Sequence, residues 1–185
     1  MIVEIGHFAL ILALFVAAGQ SVLPMWGAAR GDRRLMAIAG PTAYVQLGLI
    51  LMAFLALMHA YVTSDFSVLN VVKNSHSLKP LLYKISGVWG NHEGSLVLWV
   101  LILALFGAIV AAFGRNLPPA LKARTLAVQA MVAFGFLLFA VVTLAIERLL
   151  GDALGFGRGG LLSDEKMRDR ILAVARVRVG ARQRG

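Results

Sequence analysis

The chain has 185 residues, of which 59% are hydrophobic and only 15% are charged, and its mean hydropathy is +0.82. This composition excludes an ordinary soluble domain, in which about half of the residues are apolar. The net charge is +9 at pH 7, and the absence of cysteine excludes disulfides, thiolate metal ligands and thiol redox chemistry. We therefore predict a membrane protein.

Four apolar stretches are long enough to cross a hydrocarbon core of about 30 Å, which takes roughly 20 residues of helix. They run over residues 5–28, 35–62, 95–114 and 126–146. Each must be helical, because lipid offers no hydrogen-bond partner to an open backbone amide. The predicted fold is therefore all-α and multi-pass, with four transmembrane helices and a loop over residues 63–94 that carries a short helix near 78–85.

Basic residues predict the orientation of these helices. Those that abut helix ends in the first and third connections are Arg30, Arg33, Arg34, Arg115, Lys122 and Arg124. In short connections such charges favour the cytoplasmic side. We therefore expect the N-terminus and the loop 63–94 on the outer side, and this distribution of charge argues against a nucleic-acid partner.

This orientation predicts that all four histidines lie on the outer side of the membrane. His7 and His59 fall at helix ends, and His76 and His92 fall in or beside the loop. Tryptophan and tyrosine favour membrane interfaces, whereas histidine has no such strong preference, so the grouping suggests a site. For His7 and His59, ligation of a haem iron and a simple hydrogen bond to a neighbouring helix both stay open.

The stretch WGNHEGSLVLW, residues 89–99, combines a helix start with chemically active side chains. A zinc-protease motif needs a second histidine four residues after His92, and that position is Leu96. Asn91 suits an N-cap, and Glu93 suits the positive end of the helix dipole. On a helix, His92, Ser95, Leu96 and Trp99 share one face. This polar tip above an aromatic wall fits a planar amphipathic ligand, and an interfacial histidine bonded to the loop is the alternative.

Polar and small residues within the spans predict how the helices pack. Gln20, Ser21 and Gln46 are expected to form hydrogen bonds between helices. The third span has small residues at 104, 107, 108 and 111, a spacing that favours close helix packing.

The segment 148–185 differs from the rest, because it holds nine of the 18 Lys and Arg residues. Three interpretations stay open. The segment is a basic amphipathic helix over 167–179 that lies on anionic lipid, a solvated tail, or a tail that is not native to this protein.

Several motifs together carry a family resemblance. They are EIGHFAL at 4–10, PMWGAARGD at 24–32, NSHSLKPLLYKISGVWG at 74–90 and WGNHEGSLVLW at 89–99. In this order they resemble the N-terminal part of the CcmF family, the large membrane subunit of the bacterial cytochrome c haem lyase. The resemblance covers residues 1–143, and its most specific motif is the last.

The resemblance implies a role in cytochrome c maturation at the periplasmic face of the bacterial inner membrane. In that family the chaperone CcmE delivers haem, whose vinyl groups are joined to the two thiols of a CXXCH motif in apocytochrome c, alongside CcmH-type subunits. The expected cofactor is haem, and the expected partners are these proteins and the lipid bilayer.

The chain also departs from the family. The tryptophan-rich haem-binding segment and the haem-ligating histidines of the family lie beyond this chain, so axial ligands are not expected within it and its own enzymatic activity stays open. Neither a catalytic residue nor a separate metal site is assigned. After Thr143 the sequence leaves the family pattern, which we interpret as a frameshift or truncation.

We therefore expect a partial haem lyase subunit. The haem-proximal candidates are His92, Trp89, Glu93, Ser95 and Trp99. Plausible roles are a propionate hydrogen bond for His92, stacking or anchoring for Trp89, and loop-to-helix geometry for Glu93. The alternative is a non-catalytic membrane scaffold that packs against other maturation subunits. A proton or ion path is disfavoured, because the spans lack interior carboxylates.

Overall fold

The computed structural model describes residues 2–65, 71 and 80–153, with the backbone alone at 93, 115, 147, 148 and 150–153. His76 and residues 154–185 of the basic tail, including the predicted helix over 167–179, lie outside the described residues. The chain divides into two compact units, Met1–Val142 and Thr143–Gly185. In the second unit the described residues, 143–153, are helical.

The described residues are almost entirely helical. In chain order the helices are α1 Ile2–Arg30, α2 Arg33–Ala37, α3 Ala39–Val62, α4 Leu81–Gly87, α5 His92–Phe113 and α6 Pro119–Ala153, with a 3-10 turn at Gly114–Asn116. The segments long and apolar enough to cross a membrane are Ile2–Arg30, Arg33–Val62, Gly94–Phe113 and Pro119–Ile146. The predicted all-α fold with four transmembrane helices is confirmed.

The helix boundaries follow from glycine, proline and capping chemistry. α1 ends at Arg30 because Gly31 takes a left-handed φ of 74°, and the Asp32 amide then donates to the Gly27 carbonyl at 2.9 Å. α6 begins at Pro119, earlier than the predicted 126, since proline in the first turn leaves no amide unpaired. The predicted short helix near 78–85 is observed as α4, which begins after Pro80.

α1 and α3 pack closely through small residues. A Cβ added to Gly6 of α1 would come within 2.6 Å of the Ala56 Cβ and within 3.7 Å of the Ala53 carbonyl oxygen, both of α3. Because lipid is as apolar as leucine, helices in a bilayer associate through such close van der Waals contact rather than through exclusion of water. These contacts place the start of α1 beside the end of α3.

α5 and α6 run antiparallel and contact each other along their length. His92 lies against Phe139, the Gln129 amide donates to the Leu103 carbonyl, and Lys122 Nζ donates to the Ala111 carbonyl at 2.7 Å. The predicted small-residue positions of α5 are buried, namely Ala104, Gly107, Ala108 and Ala111. The prediction that this stripe allows close packing is confirmed.

The expectation for the polar residues of the spans was wrong in two places. Ser21 donates within its own helix, to the Ala18 carbonyl at 2.7 Å. Gln46 is buried, yet both polar atoms of its amide lack a protein partner among the described residues. Gln129, which the sequence analysis did not single out, makes the bond between helices instead. A glutamine side chain can reach either its own helix or a neighbour, so spacing alone does not decide its partner.

Candidate functional site

The structure brings three of the four histidines to one end of the helix bundle. α3 ends beside the start of α1, where Gly6 contacts Ala56, and beside the start of α5, where Asn91 contacts Tyr61. His7, His59 and His92 lie within a few residues of these contacts along the chain. We call this the histidine end.

Asn91 connects three elements at the histidine end. Its Oδ1 accepts from the Gly94 amide at 2.7 Å, which caps α5 as the sequence predicted. Its Nδ2 donates to Tyr61 Oη at 2.8 Å and to the Gly87 carbonyl at 2.9 Å. Tyr61 is fully buried near the end of α3, and Gly87 ends α4. One side chain therefore fixes the start of α5 relative to α3 and α4.

Gly94 is required by the same corner. A Cβ at this position would overlap the Val88 carbonyl oxygen, which lies in the turn between α4 and α5. The contact is with backbone, so no side-chain rotation can relieve it. The glycine after His92-Glu93 therefore allows the first turn of α5 to lie directly on the preceding turn.

A second connection ties α4 to the end of α3. Lys84 Nζ donates to Ser64 Oγ at 2.6 Å, and Ser64 adopts an unusual positive φ of 52°. The chain also turns back on α3 there, because the Asp65 amide donates to the Ala60 carbonyl at 2.9 Å. α4 is thus held at its middle, by Lys84, and at its last residue, Gly87, while Leu81, Leu82 and Tyr83 stay exposed.

His92 stands exposed at the first position of α5, on this fixed corner. Its ring meets the edge of Phe139 of α6 in a T-shaped arrangement, with the centroids 5.9 Å apart and the planes at 86°. This contact restricts the orientation of the imidazole. Trp99, two turns further along α5, is 62% exposed, and Trp89, before the corner, is 40% exposed.

The remaining predicted site residues differ in what the structure says of them. The Ser95 hydroxyl donates to the His92 carbonyl at 2.8 Å, so its hydrogen is used within the helix. Glu93 lies in the first turn of α5, but its side chain is outside the described residues. In the part of the chain that the structure describes, no three His, Asp or Glu side chains are grouped to hold a metal ion.

Sequence reasoning missed two contributors to this site, Tyr61 and Phe139. In the sequence Tyr61 counts only as one of the tyrosines that favour membrane interfaces, although a tyrosine in an apolar helix usually needs a partner for its hydroxyl, which was the available signal. Phe139 carries no such signal, because its neighbour depends on the packing of α5 against α6.

The opposite end of the bundle holds the basic residues of the first and third connections. The Arg30 guanidinium lies 4.2 Å from the centroid of the Trp26 ring, a cation–π contact. Asp32 caps α2 by accepting from the Arg34 amide at 2.9 Å. Lys122 reaches the last turn of α5, where a cation suits the negative end of the helix dipole. The histidine end and the basic end therefore differ in chemistry.

Comparison with known proteins identifies the relatives of this chain. No protein-family model matches it. It is 57% identical over 158 residues to the cytochrome c-type biogenesis protein CycK of Rhizobium meliloti, covering 85% of this chain and 23% of that protein. It is 60% identical over 143 residues to the cytochrome c-type biogenesis protein ccl1 of Rhodobacter capsulatus, covering 77% and 22%.

A third relative and a solved structure agree with these two. The cytochrome c-type biogenesis protein CcmF of Pseudomonas aeruginosa is 51% identical over 143 residues, covering 77% of this chain and 22% of that protein. The solved structure is the cytochrome c haem lyase CcmF, with a TM-score of 0.70 and 27% identity over 74% of this chain and 23% of that one. The chain thus spans less than a quarter of the length of these proteins. Over that part, the chain is CcmF-like in sequence and fold and similar to the cytochrome c-type biogenesis proteins.

Proposed function

We propose that this chain serves cytochrome c maturation as the membrane part of a haem lyase subunit, with the histidine end as its haem-handling surface. The names of the relatives, cytochrome c-type biogenesis proteins and a haem lyase, support this role. The single observation that carries the choice of surface is an exposed imidazole, His92, held on a corner fixed by hydrogen bonds.

The residues of the histidine end fit contact with haem as a substrate. Haem is planar and apolar, with acidic propionates at one edge and vinyl groups to which the thiols of a cytochrome are added. Trp99 and Phe139 expose aromatic surface beside α5. Trp99 lies two turns after His92 on the same helix, and the Phe139 ring contacts the His92 ring. A donor above an aromatic wall matches an acidic edge above an apolar ring.

In this proposal each candidate has a separate task. His92 donates a hydrogen bond to a propionate, and the Phe139 edge keeps its ring in place. Trp89 and Trp99 offer exposed rings for stacking or for anchoring at the membrane interface. Ser95, whose hydroxyl hydrogen is used by the His92 carbonyl, supports the first turn rather than the ligand. Glu93 contributes to the same turn of the helix.

Replacing His92 with alanine tests the proposed contact. We expect haem affinity of the purified protein, measured by titration of the Soret band, to fall roughly tenfold, because one hydrogen bond to a charged group is lost. His92→Gln, which keeps a donor, should recover part of the loss. Asn116→Ala, at the basic end, is the control and should bind haem like the unchanged chain.

Three outcomes would count against the assignment. Unchanged affinity in His92→Ala would remove this residue from the site. Loss of the Soret band in His59→Ala, with His92→Ala unaffected, would instead favour iron ligation within α3. Haem-free protein that co-purifies with other maturation subunits would favour the alternative role, a non-catalytic scaffold.

We further propose that the histidine end faces the periplasm of a bacterial inner membrane, where the haem chaperone CcmE, CcmH-type subunits and apocytochrome c would meet it. The basic residues at the opposite end support this orientation. Because these partners act outside the cytoplasm, the proposed function requires this orientation.

The lack of cysteine makes the orientation directly testable. We expect a single cysteine introduced as Leu82→Cys, in exposed α4, to react with a membrane-impermeant maleimide in intact spheroplasts. Asn116→Cys should react only after the membrane is opened. The reverse pattern would place the histidine end in the cytoplasm and exclude the proposed surface.

A further inference from the structure

A small cavity, partly open and mostly apolar in its lining, lies between the helices of the bundle, away from the histidine end. Residues of all four spans line it. The polar ones are Gln20 of α1, Gln46 of α3 and Gln129 of α6, and we call these three residues the glutamine cluster. These three residues lie seven to ten positions from the basic-end termini of their helices, a depth of roughly 10–15 Å. The rest of the lining is apolar or glycine, including Leu103 and Gly107.

The glutamine cluster presents polar atoms that the protein leaves without a partner. Gln20 and Gln46 are only 4% and 3% exposed. Gln20 Oε1 and both Gln46 Oε1 and Nε2 have no hydrogen-bond partner among the described residues. An unpaired amide is costly in an apolar interior, so these atoms call for a ligand that offers both donors and acceptors.

We propose that the glutamine cluster binds a single water molecule within the membrane-spanning bundle. The cavity volume is about 20 Å³ for the centre of a water-sized sphere, and roughly 10–15 Å³ suffices for one water. The water donates to Gln20 Oε1 and to Gln46 Oε1, and it accepts from Gln46 Nε2. All three unpartnered atoms are thereby satisfied by the two donors and the acceptor lone pairs of one molecule.

This water site connects with the contact between α5 and α6. Gln129 lines the same cavity, and its side-chain amide donates a hydrogen bond to the Leu103 carbonyl. A water between Gln20 and Gln46 joins α1 to α3 at the same depth. Polar contacts of this kind fix the register of helices that packing alone would leave free to slide. The inference does not depend on the proposed role in haem handling.

Radiolytic footprinting of the whole chain in lipid nanodiscs tests this proposal. X-ray pulses make hydroxyl radicals from water in place, so a side chain deep in the membrane is oxidised only where water lies beside it. We expect oxidation at Leu103, which lines the cavity, and none above background at Phe106, a more reactive residue exposed on the outside of the same helix. Gln46→Leu, which is close in volume and removes the polar atoms without adding a readily oxidised group, should reduce oxidation at Leu103 to the background level.

Oxidation no higher than background at both Leu103 and Phe106 would overturn the proposal. The same result is expected if a polar side chain from another protein segment, rather than water, fills the cavity. Unchanged oxidation in Gln46→Leu would overturn it as well. If that variant does not assemble, Gln20→Leu removes an acceptor and should also lower the Leu103 signal.

Discussion

Replacing Gly94 with alanine is expected to unfold the corner between α4 and α5. The new Cβ would overlap the Val88 carbonyl oxygen, so the first turn of α5 must separate from the preceding turn. That movement also breaks the 2.7 Å bond from the Gly94 amide to Asn91. We expect a loss of stability above the 1–3 kcal/mol that is typical of overpacking, about 3 kcal/mol or more. Thermal unfolding of the detergent-purified protein, followed by size-exclusion chromatography, measures it.

Gly48→Ala and Gly135→Ala are matched controls for this experiment. Both glycines lie within transmembrane helices, and a Cβ at either would meet nothing within 4 Å. Alanine favours a helix over glycine by up to about 1 kcal/mol, so these variants should be as stable as the unchanged chain or slightly more stable. If Gly94→Ala behaved like them, the described contact between α5 and the preceding turn would be wrong.

Replacing Asn91 with alanine is expected to have the second largest effect, about 2–3 kcal/mol. Loss of an N-cap costs typically about 1 kcal/mol, and each buried hydrogen bond adds about as much. The Asn91 amide contributes both, because it caps α5 and also donates to Tyr61 and Gly87. The melting temperature should fall, and the haem affinity of the histidine end should fall with it.

Asn91→Asp separates the two tasks of this side chain. Aspartate caps helices about as well as asparagine, but it cannot donate to the Tyr61 hydroxyl or the Gly87 carbonyl. We therefore expect Asn91→Asp to be destabilised, whereas a residue that acted only as a cap would tolerate the change. Asp32→Ala, which removes the cap of the short helix α2, should cost less. A stable Asn91→Asp variant would disprove the bond from Asn91 to the Gly87 carbonyl, because two acceptor oxygens would then face each other, whereas the Tyr61 hydroxyl can itself donate to a carboxylate.

The two corner variants also bear on the proposed function. The His92 ring contacts Phe139, and its position depends on the turn that Asn91 and Gly94 define. A drop in haem affinity that follows the loss of stability would mean that the corner positions the histidine. Haem affinity that survives a disrupted corner would move the binding surface elsewhere on the chain.

The sequence predicted the local features of this site because they depend on near neighbours. Asn91 as the cap of α5 follows from the three residues after it. The short helix was predicted near 78–85, and the structure begins it after Pro80, at Leu81. The grouping of His7, His59 and His92 at one end follows from helix count and direction, which alternate from span to span. No longer-range information was needed for any of these.

The side-chain partners could not be predicted in the same way. Asn91 donates a hydrogen bond to Tyr61, thirty residues earlier, and the His92 ring contacts the Phe139 ring on another helix. Gln46 was expected to bond a neighbouring helix and instead lines a cavity, while Gln129 makes the bond. Each outcome depends on the rotation of one helix against another, which hydropathy does not encode.

The amino-acid sequence by itself determined that this chain crosses the membrane four times as helices, because only helices satisfy every backbone amide within lipid. It also determined where α1, α3 and α5 begin and end to within a few residues, whereas α6 runs over Pro119–Ala153 rather than 126–146. Only the tertiary structure decided why Gly94 has no side chain and where the three glutamines meet. The first depends on how the turn after α4 lies against the first turn of α5, and the second depends on helices distant in sequence that have packed at a definite rotation and depth.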